Sequence, residues 1–103
     1  MIKSFSDQGT KDIYDRIHSD AARHTLHPKF WVKAKDALDE IHIAENLNQI
    51  RDYRKFRLHK LSGKVKGKAS WYTVTIGYRE RIVFRYEDNQ AHDVFINDNH
   101  YGD

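Results

Sequence analysis

Two kinds of residue in this chain could do chemistry: seven histidines and a dense block of Lys and Arg. His18, His42 and His92 stand at no spacing that implies a shared task, and they read as surface or packing residues. His24 and His27, three positions apart, could share a helix face as metal ligands. Pro28 follows directly, however, and no carboxylate stands at a supporting interval, so no metal site is expected there or elsewhere. His59 and His100 differ. His59 lies within the basic run Arg57-Leu58-His59-Lys60, and His100 ends the stretch Ile96-Asn97-Asp98-Asn99-His100. Imidazole titrates near neutrality and can accept or deliver a proton. Arginine stays charged and offers a fixed fork of donors to phosphate oxygens.

The cations are concentrated. Residues 51–85 carry eleven Lys or Arg against two acids, Asp52 and Glu80. Residues 86–103 carry five acids and no Lys or Arg, so the net charge of +3 conceals a polarised molecule. A positive surface of this kind attracts polyanions, and phosphate backbones are the usual ones. Phe56, Leu58, Trp71, Tyr72 and Val74 interleave with the cations, which places the charge on folded structure rather than on a tail. Contact with nucleic acid is therefore expected.

The elements that must hold these groups follow from periodicity. At 103 residues, a single domain spanning 1–103 is expected, with one modest core. Zero cysteines exclude disulfides and fit a reducing cytoplasm. The opening Met1-Ile2-Lys3-Ser4-Phe5 lacks the apolar run of a secretory signal, and no stretch is long enough to span a membrane. Ile2–Phe5 is a short strand candidate. Thr10 is a candidate cap for a helix from Lys11 to about Ser19, burying Ile13 and Ile17, and Asp20 for a further turn. Pro28 suits the start of a second helix, on which Phe30, Trp31, Ala34, Ala37, Leu38 and Ile41 share one face.

Beyond Arg51 the pattern changes to strands: Phe56–Leu61, Trp71–Ile76, Arg81–Tyr86 and His92–Ile96. Ser62–Ala69 reads as a Lys-rich loop, and Gly77-Tyr78-Arg79-Glu80 and Glu87-Asp88-Asn89-Gln90 as hairpin turns. Short turns make the neighbours antiparallel. The expected fold is α+β, an antiparallel sheet of about four to five strands with two N-terminal helices packed on one face. Tyr72, Val74, Ile76, Ile82, Phe84, Tyr86, Val94 and Ile96 form the covered face. Arg57, His59, Thr73, Thr75, Arg81, Val83, Arg85, Asp93 and Phe95 form the open one.

In this order, Arg57-Leu58-His59-Lys60-Leu61-Ser62-Gly63, Lys66-Gly67, Tyr72-Thr73-Val74-Thr75-Ile76, Arg81-Ile82-Val83-Phe84-Arg85-Tyr86 and Asp93 through His100 resemble the signatures of HigB-type toxins of the RelE superfamily. The opening Met1–Phe5 with Gly9 is similar as well. The resemblance covers nearly the whole chain. It implies a cytoplasmic mRNA endonuclease acting on the ribosome without metal or other cofactor. It also implies a HigA-like helix-turn-helix antitoxin as partner, through which operator DNA would be contacted indirectly.

Carried over by position, the resemblance places His59, Arg81, Asp98 and His100 in the catalytic set. Asn99 stands where the family usually has tyrosine and Ser62 where it often has lysine. Asn99 and Tyr101 are auxiliary candidates, and Tyr101 or Lys60 the candidate substitutes for the missing groups. Metal-free RNA cleavage needs the 2′-hydroxyl deprotonated, the phosphorane stabilised and the 5′-oxygen protonated. Histidines can carry the proton transfers and Arg81 the charge stabilisation; Asp98 would act as base or orient His100. Arg57, Lys60, Lys64, Lys66, Lys68 and Arg85 are the expected RNA- and ribosome-binding residues, through backbone contacts that set affinity. Two alternatives come from other classes: a non-catalytic inhibitor on the same fold, like the gyrase-directed ParE relatives, and a plain nucleic-acid-binding module.

Overall fold

The computed structural model describes residues 1–61 and 70–98. Chemistry at the helix starts sets the N-terminal half. Helix α1 (Gln8–Tyr14) is capped by Asp7, whose carboxylate accepts from the Thr10 N–H at 2.7 Å. The cap is thus three residues ahead of the one expected. Thr10 is buried and its hydroxyl has a tertiary task, accepting from the Ile96 N–H at 3.0 Å. The helix ends early because Arg16 takes a left-handed φ of 61°, with the Ile17 N–H donating back to the Asp12 carbonyl. Ile17 therefore leaves the buried face and is half exposed. Helix α2 (Asp20–Thr25) is capped by Ser19 rather than Asp20. At Gly9 a Cβ would overlap the Thr25 side chain and approach the Ala21 carbonyl, so only glycine allows α1 and α2 to pack this closely.

The Ser19 hydroxyl does two jobs. It accepts from the Ala22 N–H and donates to the Asp12 carboxylate at 2.6 Å, which also receives the Gln8 amide at 2.7 Å. The bonds from Ser19 and then Gln8 hold the Asp12 carboxyl below its ordinary range. A carboxylate whose folded value is lowered stabilises the fold above its unfolded value, and the effect is lost as pH falls through the folded value. Parent and Asp12→Asn should differ most in urea midpoint at neutral pH and converge in acid below the normal carboxylate range. A pH-independent gap would show that the charge contributes nothing.

Pro28 opens a 3-10 turn (Pro28–Phe30) that runs into α3 (Trp31–Ile43), whose Ala34, Ala37, Leu38 and Ile41 are buried as the periodicity predicts. The short helix α4 (Leu47–Asp52), capped by Asn46, adds to the expected two, so four α-helices stand among the described residues. A 3-10 turn (Arg54–Phe56) then buries Phe56 in the core. Arg57 takes a left-handed φ of 48°, which breaks the extended run expected from Phe56 and leaves β1 only two residues (His59–Lys60).

Strands β1, β2 (Trp71–Thr75), β3 (Arg81–Glu87) and β4 (Gln90–Asn97) form one antiparallel sheet in sequence order. Asp88 and Asn89 both have positive φ, the two-residue hairpin whose twist suits antiparallel strands. Ile2 and Phe5 bridge in parallel to Ala91 and Val94, which covers the β4 edge. The core lies between the helices and Val74, Ile76, Ile82, Phe84, Ala91, Val94 and Ile96. Asp93, with φ 53°, makes a bulge opposite Val83/Arg85, so the alternation expected along β4 shifts and Ala91 joins the core. Among the described residues no helix is long and apolar enough to cross a membrane.

Candidate functional site

The register assigns the open face. His59 is opposite Thr73, Thr73 opposite Val83, and Val83 opposite Phe95. One step along, Thr75, Arg81 and Asn97 form a second row, and on the other side Trp71, Arg85 and His92 a third. Directly opposed residues share a face, so His59, Arg81 and Arg85 lie on the side of the sheet away from the helices. From strand spacing and rise, His59 and Arg81 backbones are about 10 Å apart across the strands and about 7 Å along them. Two extended side chains pointing the same way can bracket one phosphodiester over that span.

Arg81 is fixed by its own hairpin. One terminal nitrogen, Nη1, donates to the carbonyl oxygens of Gly77 (3.0 Å), Glu80 (3.1 Å) and Tyr78 (3.3 Å). The turn supplying them needs Gly77, where a Cβ would press on the Glu80 carboxylate and the Phe30 ring. Among the described residues no carboxylate is ion-paired to Arg81, and its other guanidinium nitrogens are the donors a phosphate would meet. Arg85 contrasts with it. Its guanidinium meets Glu87 at 2.5 Å and the bulged Asp93 at 3.5 Å, so much of its charge is offset within the fold.

The remaining expected residues are dispersed. His59 is exposed on the edge strand, and Arg57 is exposed just before it. Lys60 is exposed but opposite Tyr72, so the alternation turns it toward the helix side at the sheet edge. Asp98, exposed beyond the end of β4, lines a pocket of about 240 Å³ with His24, His27, Phe30 and Glu80. The structure does not place it beside His59. Lys64, Lys66, Lys68, Asn99, His100 and Tyr101 lie outside the described residues. Among the described residues no three His, Asp or Glu side chains converge as a metal-ligand set.

The hairpin clamp on Arg81 and the pairing of Arg85 were invisible in the sequence, because both depend on backbone carbonyls and a bulge. A third feature has no local signature in the sequence. Trp71 and Phe95, from strands on either side of β3, meet over the open face with ring centroids 6.4 Å apart at 61°.

The open face thus combines the His59 imidazole with a fixed guanidinium that has no carboxylate partner among the described residues, an arrangement able to hold a phosphodiester and move a proton at it. No curated protein matches the sequence. The family model described as RelE-like toxin of type II toxin–antitoxin system HigB matches residues 3–100. With its four-stranded antiparallel sheet backed by helices and nearly its whole length matched, the chain belongs to the HigB-like family of RelE-like toxins, type II toxins that have an antitoxin as partner.

Proposed function

We propose that this toxin is a ribosome-dependent mRNA endonuclease whose active face is the open side of the sheet. The observation that carries the reading is Arg81, a cation held by three carbonyl oxygens and left without a carboxylate partner among the described residues, on the same face as His59. Family membership supports the same reading.

In this account the RNA 2′-hydroxyl attacks the adjacent phosphorus after losing its proton, and the 5′-oxygen leaves after gaining one. The products are a 2′,3′-cyclic phosphate and a 5′-hydroxyl. Arg81 stabilises the charge on the phosphorane through donors already in position. His59 takes one of the two proton transfers. His100 takes the other with Asp98 orienting it, or Asp98 takes it as base, as the family pattern implies; the chemistry needs neither metal nor organic cofactor. Arg57, Lys60, Lys64, Lys66 and Lys68 contact ribosomal RNA and message backbone, and Arg85 contributes less because Glu87 and Asp93 already offset it. The antitoxin is a HigA-like helix-turn-helix protein that links the pair to operator DNA, and the toxin acts in the cytoplasm.

The chain is small and its cationic block broad, so the ribosome supplies the surface that positions the message. Purified protein should cut message on translating ribosomes and leave the same RNA, free in solution, largely intact. Equal cutting of free RNA overturns the ribosome dependence, and no cutting in either setting overturns the nuclease.

A further inference from the structure

We infer that Trp71 and Phe95 form a stacking platform for an unpaired message base beside the scissile bond, so that base preference resides partly in this ring pair. The inference rests on the endonuclease reading and adds a recognition element to it. Trp71 is opposite Arg85 and Phe95 opposite Val83, which puts both half-buried rings on the open face with His59 and Arg81. Their centroids are 6.4 Å apart at 61°, an edge-to-face arrangement that leaves the two ring planes differently directed.

The surroundings favour a base. In the row of Trp71, Arg85 is already paired with Glu87 and Asp93, so little free charge stands there to bind phosphate. Four residues back along β3, and two from the Val83 that Phe95 faces, Arg81 has no carboxylate partner among the described residues. A strand laid with its phosphate at Arg81 brings a neighbouring base over the rings. Cations that track the backbone and aromatics that take the bases are how protein surfaces hold single-stranded RNA. Charge favours the same occupant, since residues 51–85 around Trp71 carry eleven cations against two acids. The competing role is packing, since Val83 beneath is fully buried and Thr73 nearly so. Aliphatic side chains of similar size would serve that role, whereas stacking requires a ring.

The test uses Trp71→Leu, Phe95→Leu and Trp71→Phe in the purified full chain. Cleavage of message on programmed ribosomes is measured against toxin concentration, with every cut site sequenced. Each Leu variant should raise the half-saturating concentration about five- to a hundredfold, the loss expected for one stacked base. It should also flatten the base preference at the cut and leave the saturated rate unchanged, while Trp71→Phe stays close to the parent. Leu variants matching the parent in half-saturation and cut-site preference overturn the platform and leave the nuclease standing. So does a Trp71→Phe as damaging as Trp71→Leu with both melting early, which is a packing role. A parent that cuts no message overturns platform and nuclease together.

Discussion

Arg81→Ala should slow message cleavage by about 10²–10³-fold at saturating toxin, with the fold retained. The size follows from what the residue provides. Its guanidinium is positioned before substrate arrives, by carbonyl oxygens of Gly77, Tyr78 and Glu80 at 3.0–3.3 Å, so no reorganisation is needed as charge develops on the phosphorane. Arg81→Lys should recover little of the loss. A lysine keeps the charge but lacks the planar fork that can hold the turn with one nitrogen and a phosphate oxygen with another. Thermal melting should move only modestly, because the residue lies off the helix-covered core, whereas single-turnover rates should collapse. A saturated rate within a few fold of the parent would place Arg81 in turn stability alone.

His59→Ala should cost about 10²–10⁴-fold in the same assay, the range for losing a general acid or base. His59 is exposed on a two-residue edge strand, so its removal opens no cavity and stability should hardly change. The pH–rate profile is the sharper readout. The parent should show a bell, and the variant should lose one limb; which limb disappears tells whether the imidazole acts as base or acid. A variant that keeps both limbs and most of the rate would reduce His59 to a surface residue.

What the sequence disclosed depended on the range of the interaction involved. The period-two strands and the apolar stripe of α3 were readable because each repeats a local pattern, and the hairpin at Asp88-Asn89 because its turn residues are specific. The sequence places the caps at Thr10 and Asp20 rather than Asp7 and Ser19, since all four residues are of good capping types and only the tertiary bond from Ile96 to Thr10 separates two of them. The α4 helix buries only Ile50 and so carries no apolar stripe to read, and β1 is shortened by the left-handed Arg57, which no local pattern marks. At the open face, alternation was enough to put His59, Arg81 and Arg85 together. It could not show that Arg81 is clamped and Arg85 partly offset, nor that Asp98 lines a pocket with His24 and Phe30.

Whether the open face cuts message decides between a nuclease and a non-catalytic inhibitor. In cells expressing the toxin without its antitoxin, message ends should be mapped with chemistry selective for 5′-hydroxyls, alongside growth. Parent toxin should arrest growth and create new 5′-hydroxyl ends inside translated reading frames, and the double variant His59→Ala/His100→Ala should do neither. Growth arrest by the double variant as strong as the parent's, with messages intact, would contradict the account and make the toxin a non-catalytic inhibitor.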